Sequence, residues 1–495
     1  MPNSAVFKAF LAKHWSLIAL FVALFFVVAV SLPVLTVKPR IWVDEAKSIE
    51  LARNFADFRR LDIQTAPGVF SGIPHLLQST GYPLTVPLAL FFQLFGFSFT
   101  GARMFMLALM LVALCVTYFV MAKLFSPHEA AIAVLLVASF ASFHDNGRTV
   151  VGEIPGFIFL FLALYTWIDK RAYLYSGLLT GLAVVVKPSV YTWALPAFLG
   201  LLIIEGRPFM RKAFRFFIGL FIPAFLWIAI VFGSSLHLSD LKDIGRLYEN
   251  PYSAPSISSN ILKNIELLLT SSTIIYFFVL LGVLIVVRRF ISREKTAVSH
   301  FVAFTNFVFI YSACAFIYFL RSPGWIRYLI AAELFILCLI PVAFRMLEHK
   351  EFKFFMSRPR SLFKLLILAP FLLVLIQGIH FFTSAQIYSG TAALETVNFI
   401  ETKFPDAIVS VVNSLPVAAL LPHEHLFQVV EMLGIPRIGT HSFGSERPVT
   451  INSLPDLVVA NKEEKIFLEK KTAYEAHYNP VAAFDGITVF TRRGL

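Results

Sequence analysis

Apolar residues run along this chain in blocks of about 20, the length that carries an α-helix across a bilayer. The first block, Trp15–Val37, contains no Asp, Glu, Lys or Arg. Others lie near 103–123, 129–143, 154–168, 172–186, 188–204, 216–236, 265–287, 299–320, 327–344 and 364–382, so about eleven transmembrane helices are expected. A shorter apolar stretch, Pro83–Phe95, holds two prolines and follows a long polar segment. From Asp44 onward, Ala46, Ile49, Leu51, Ala52, Phe55 and Phe58 recur at helical spacing, which predicts an amphipathic helix lying on the membrane.

Beyond residue 382 the pattern changes. Short β-branched runs (Ala407–Val412, Leu457–Ala460, Ile487–Thr491) alternate with polar helical stretches. Roughly 110 residues can enclose a small core of their own. The expected architecture is a polytopic α-helical membrane region over 1–382 and a small extracytoplasmic α/β domain over 383–495.

Composition narrows the class. Of 495 residues, 58% are hydrophobic and 15% charged, where a soluble chain carries roughly 25% charged. That excludes soluble, disordered, coiled-coil and disulfide-scaffold classes. Cys115, Cys314 and Cys338 lie within apolar runs and offer neither a disulfide framework nor a metal spacing.

The net charge of +12 gathers in short loops: Lys123; Lys170 and Arg171; Arg207, Arg211, Lys212 and Arg215; Arg288, Arg289, Arg293 and Lys295; Arg345 through Lys364. This positive-inside pattern sets topology and argues against a nucleic-acid partner. It places the N-terminus in the cytoplasm. If Pro83–Phe95 crossed the membrane, every later basic loop would fall outside, so that stretch is read as lying in the outer interface. A loop over 38–102, a second over 234–262 and the tail are then external, most simply at a bacterial inner membrane.

Candidate chemistry gathers on that face. Asp44 opens the predicted amphipathic helix, a favourable place for a carboxylate whether it reacts or only caps. Arg148 and Glu153 share a turn before Pro155, where they either serve a site or pair with each other. Lys187-Pro188 and the run from Ser322 to Tyr328, containing Arg327, bring cations to the same depth. There they either hold a phosphate or snorkel to the interface. His423-Glu424-His425 lacks an evident third metal ligand, and Glu333 stands alone within a span.

Taken in order, Trp42-Val43-Asp44-Glu45-Ala46, Gly81-Tyr82-Pro83-Leu84, Ala102-Arg103, Arg148 with Glu153-Ile154-Pro155, Lys187-Pro188 and Arg327-Tyr328-Leu329 resemble the GT-C glycosyltransferases. The likeness is to the branch holding protein O-mannosyltransferases and the lipid A aminoarabinose transferase, over roughly residues 10–345. It implies a catalytic carboxylate at Asp44, with Glu45 beside it and Glu153 as a second acidic position. Lys47 falls where relatives often carry a basic residue. Gln78–Tyr82 stands where relatives carry a His or Lys before the Pro-Leu stretch, with His75 close enough to take that part. Tyr82, Arg103, Arg148, Lys187, Arg327 and Tyr328 complete the expected substrate-binding set.

The resemblance implies a polyprenyl-phosphate sugar donor and a glycan, lipid or protein acceptor, with no cofactor and no obligatory metal. Phosphate is a competent leaving group, so the chain must supply a base and positive charge. Asp44 is expected to be the base, its proton affinity raised by partial desolvation. The competing class is a transporter or flippase of lipid-linked glycans, which calls for discontinuous spans in paired halves and charges near mid-membrane.

Overall fold

A computed structural model describes residues 4–206, 209–232, 237–249, 257–290, 296–322, 325–348, 360–384, 389–412, 414–432, 435–438, 454–461 and 476–494. Arg207, Arg293, Lys295, Pro323, Gly324 and residues 349–359, singled out above, lie outside that set, as does part of the 234–262 loop.

The chain opens with α1 (Ser4–Ser31), α2 (Val43–Phe58), a two-stranded hairpin of β1 (Gln64–Ala66) and β2 (Val69–Phe70), α3 (Pro74–Leu77) and α4 (Tyr82–Phe95). Next come α5 (Phe99–Leu124), α6 (Pro127–Ser139), α7 (Ala141–Gly147), α8 (Glu153–Ile168), α9 (Tyr173–Val186), α10 (Pro188–Tyr191) and α11 (Ala194–Glu205). The bundle continues through α12 (Phe209–Phe232), α13 (Leu238–Glu249), α14 (Ile257–Thr270), α15 (Ser272–Phe290), α16 (Thr296–Arg321), α17 (Ile330–Glu348) and α18 (Arg360–Ser384).

Within the described residues the predicted apolar blocks fall mainly on helix, and the block 265–287 is divided between α14 and α15 at Ser271. Among the described residues, seven helical stretches are long and apolar enough to cross a membrane, or eight if α6 and α7, which meet at 67°, form one broken span. Helices α8 and α9 and the segment Leu368–Thr383 are apolar but shorter. Length and hydropathy thus support at least seven spans among the described residues, and the exact count of eleven that the apolar blocks predict is not established by this measure.

Packing explains how short helices hold their places. Gly177 and Gly181 on α9 bring its backbone against α12, the small-xxx-small arrangement that lets apolar helices approach closely. A Cβ on Gly177 would sit 1.9 Å from the Phe216 carbonyl oxygen, and one on Gly219 of α12 2.0 Å from that of Leu174. The many phenylalanines fill the interior: Phe335 packs against Phe157, Phe161, Phe304 and Phe307.

Helix α4 begins at Gly81, whose N–H bonds the Val186 carbonyl at the end of α9 (3.1 Å), and finishes beside the start of α5, where Phe91 meets Phe105. The start of α5 and the end of α9 both face α2, as the site below shows. Both ends of α4 therefore meet elements that face α2. Helix α2 does not rest on lipid with one face wet. It is buried nearly all round, polar Glu45, Lys47, Ser48, Glu50 and Asn54 included.

Besides α4 and the start of α5, α2 is covered by part of the C-terminal region, which comprises α19 (Ala392–Lys403), β3 (Val409–Val412), α20 (Leu415–Ala418), β4 (Leu426–Met432), β5 (Ile435–Ile438), β6 (Leu457–Asn461), β7 (Tyr478–Phe484) and β8 (Ile487–Arg492). The six strands form one sheet in the order β5-β4-β3-β6-β8-β7, with β3 parallel to β4 and β6 and the outer pairs antiparallel. Inward residues Val409, Val411, Leu457, Val459 and Val489 share one apolar cluster with Ile49 and Ala52 of α2 and Leu84 and Leu88 of α4. The sheet is thereby seated on α2 and α4.

Candidate active site

The backbone places acids and cations at helix ends for local reasons. The first turn of α2 holds Asp44 and Glu45, where the exposed N–H groups favour negative charge. The N-cap residue is Trp42, without a side-chain cap, so Asp44 is not engaged in capping. Glu153 occupies the equivalent turn of α8. Lys187 sits at the break between α9 and α10, because the following Pro188 disfavours helical geometry in the residue before it. At Gly152 a Cβ would lie 2.5 Å from the Val186 carbonyl oxygen, so only glycine lets the Glu153 turn abut the Lys187 break. Arg327 lies in a 3-10 turn, Ile326–Leu329, leading into α17.

These ends converge. Lys187 Nζ stands 3.8 Å from Asp44 Oδ2 and 3.8 Å from Glu153 Oε1. Arg327 Nη2 donates to Asp44 Oδ2 at 3.1 Å. The Arg327 guanidinium stacks over Trp42 (4.1 Å) and Trp325 (4.4 Å), with Tyr328 at 5.7 Å. Its Nε and Nη1 are buried with no hydrogen-bond partner among the described residues. Lys187 and Glu153 form the floor, at 2% and 0% side-chain exposure, while Asp44 keeps 18%. Lys47, one turn along α2, is buried in the same cluster and interacts with both Asp44 and Lys187.

Electrostatics corrects one expectation. Burial does act to raise the proton affinity of Asp44, but Lys187, Arg327 and Lys47 outweigh it and hold the carboxyl below its ordinary value. Burial also lowers the proton affinity of Lys47, Asp44 opposing and Lys187 adding. Asp44 in this state is an ionised, cation-bound group rather than a desolvated strong base.

Other predicted residues are engaged elsewhere. Glu45 accepts two bonds from Arg103, Nε at 2.9 Å and Nη2 at 2.7 Å, and a third from the Val150 N–H at 3.2 Å. Arg103 also donates to the Leu35 carbonyl at 2.6 Å, so the pair braces α2 against α5 and the end of α1. Arg148 turns to the His144 carbonyl (3.1 Å) and to Asp145 (3.4 Å), and the Arg148–Glu153 pair does not form. His75 stacks on Phe232 and the Tyr82 hydroxyl reaches the Pro223 carbonyl (3.5 Å), which directs both toward α12. Gln78 accepts from Trp227 Nε1 there at 3.2 Å. Of His423 and His425, the first is buried and the second exposed, and no group of three or more His, Cys, Asp or Glu is placed to hold a metal among the described residues. The aromatic cage of Trp42 and Trp325 escaped the sequence reading, although both flank residues it named.

The family model of dolichyl-phosphate-mannose-protein mannosyltransferase matches residues 85–232, which run from α4 to the end of α12. A comparison with curated proteins found no match. ArnT from Cupriavidus metallidurans, in a crystal structure bound to undecaprenyl phosphate, is similar over 98% of this chain and 98% of its own, with a TM-score of 0.58 at 12% identity. Its apo state is similar over 99% and 98%, with the same TM-score at 14% identity. The archaeal oligosaccharyltransferase AglB from Archaeoglobus fulgidus, in complex with an inhibitory peptide and a dolichol-phosphate, is similar over 84% of this chain and 64% of its own (TM-score 0.50, 12% identity). Identities this low speak to fold: this multi-span membrane protein shares the fold of the glycosyltransferases ArnT and AglB, and its residues 85–232 match the mannosyltransferase family model.

Proposed function

We propose that the chain transfers a sugar from a polyprenyl-phosphate donor to an acceptor at the outer face of the plasma membrane. The reading rests above all on one arrangement: Lys187 stands between Asp44 and Glu153, with Arg327 on Asp44, at helix ends beside α2 and α4. A lipid-borne phosphosugar presents its reacting atoms at such a depth. The structures of ArnT bound to undecaprenyl phosphate and of AglB in complex with a dolichol-phosphate support this donor class.

In this mechanism the donor phosphate lies against Lys187 and the free donors of Arg327, which charge-assisted bonds favour. Those cations are then drawn from Asp44, which regains proton affinity as the donor binds. The acceptor hydroxyl or amine, oriented by Glu153, attacks the anomeric carbon and passes its proton to Asp44. The bond from that carbon to the phosphate oxygen breaks, polyprenyl phosphate leaves, and the anomeric centre inverts. Glu45, Arg103 and Arg148 hold the site together without touching substrate.

Two measurements check this. Membranes containing the protein should release polyprenyl phosphate from a labelled lipid-phosphate sugar as product forms. Movement of intact lipid-sugar across the bilayer without release would instead mark a flippase. The acid limb of kcat/KM, which reports the free enzyme, should fall below the ordinary aspartate value of about 3.9, because the free site holds Asp44 low. The acid limb of kcat should lie at higher pH. Coincident limbs would rule out the exchange of cations between Asp44 and phosphate.

A further inference from the structure

The C-terminal sheet meets the Asp44 helix through a buried polar junction that the mechanism above leaves unused. Glu50 Oε1 on α2 accepts the Gln64 N–H of β1 (3.2 Å) and Nε2 of Gln428 on β4 (2.7 Å). Gln64 Nε2 donates to the His423 carbonyl (2.9 Å), and Asn54 Nδ2 to the Asp62 carbonyl (2.8 Å). Arg53 Nη1 donates to the Leu421 carbonyl (2.7 Å), beside α20. Gln428 Nε2 also donates to the Gln64 carbonyl (2.5 Å), so both of its hydrogens are used, while Gln64 Nε2 and Asn54 Nδ2 each make one bond. Glu50 Oε2, Asn54 Oδ1 and Gln64 Oε1 remain, acceptors buried with no donor among the described residues. Glu50 and Asn54 are one helical turn apart on the same face.

An ionised Glu50 would bury charge where its second oxygen finds no donor, a costly arrangement. A protonated Glu50 supplies an O–H to a junction short of donors. We infer that Glu50 is a positioning residue whose neutral carboxyl latches the C-terminal sheet onto the helix carrying Asp44, so that docking loosens as Glu50 ionises.

The surrounding charges are few. Arg53 on α2 and Asp62 before β1 act on Glu50 with opposite sign. His423 faces Arg53, as do Asp57, Glu401 and Glu424. Helices α4 and α20, both packed on α2, contain no charged residue. Burial pushes the Glu50 carboxyl up to about 8, against the bonds from Gln428 and Gln64 and the charge of Arg53. With a docked value above the ordinary 4.5, the docking energy is complete below 4.5 and is lost as pH rises through about 8.

Hydrogen exchange on the full chain in lipid nanodiscs tests the latch, comparing protection of α2 and β4 at about pH 5.5 and 7.5 after dividing out intrinsic exchange. In wild type, protection should fall by up to about tenfold per pH unit. Glu50→Gln, whose amide donates at every pH, should stay protected throughout, whereas Glu50→Ala should be loose at both values. An identical pH slope in wild type and Glu50→Gln, or no slope in wild type, overturns the latch. The effect on turnover rests on the transferase reading: Glu50→Gln should match wild type at the lower pH and exceed it at the higher. Docking that shifts while turnover does not overturns the positioning role. A latch that responds as expected in a chain that transfers no sugar would tell against the transferase reading alone.

Discussion

Asp44→Asn in the full-length protein should lower sugar transfer by at least about a hundredfold, and by as much as 10⁴-fold, the range removed with a general base. The substitution keeps the shape of the side chain and leaves the Arg103–Glu45 brace intact, so the protein should insert and fold as before. The loss should fall on kcat. Donor affinity should hold or improve, because Asp44 competes with phosphate for Lys187 and Arg327. Steady-state kinetics with a lipid-phosphate sugar separates the two. If the purified variant turns over within tenfold of wild type, Asp44 is not the base. A large rise in KM at constant kcat would instead make it a donor-binding group.

Glu45→Ala should cost about 3–5 kcal/mol of stability, the penalty of leaving a buried partner charge unpaired. Both members are fully buried, and Arg103 has no route to water once its carboxylate is gone. The same residue anchors the Val150 N–H, so the loss should loosen the turn leading to Glu153 as well. Thermal unfolding in detergent measures the effect. Replacing the whole pair, Glu45→Met with Arg103→Met, should be less damaging than either single change, since no lone charge remains. Glu45→Gln offers the contrast. If it folds with wild-type stability yet abolishes turnover, Glu45 is reacting rather than bracing.

Much of this protein was legible in the linear pattern because hydropathy and helix-end chemistry are local. The apolar blocks, the helix starting at Val43, the short apolar stretch around Pro83–Phe95 and the strands near 409, 457 and 487 each announce themselves within a dozen or so residues. Helix α2 was read as a surface helix because its apolar stripe is narrow. Its polar face is buried by a sheet far along the chain, and Glu50 meets Gln428 across 378 positions. The close packing of α9 on α12 was present in the sequence as Gly177 and Gly181, a spacing the reading passed over.

The sequence by itself determined which residues stand at helix ends and in what order, because the length of each apolar block and the residues at its ends set that one helix at a time. Only the tertiary structure decided their partners. Asp44 and Glu45 are adjacent in the chain, yet one faces Lys187 and Arg327 while the other is taken up by Arg103. Whether a carboxylate is left strong as a base or held by cations depends on separations of 3–4 Å, since Coulomb energy scales inversely with distance and burial limits screening. Asp44 and Arg327 stand 283 positions apart, and no local pattern encodes a distance of that kind.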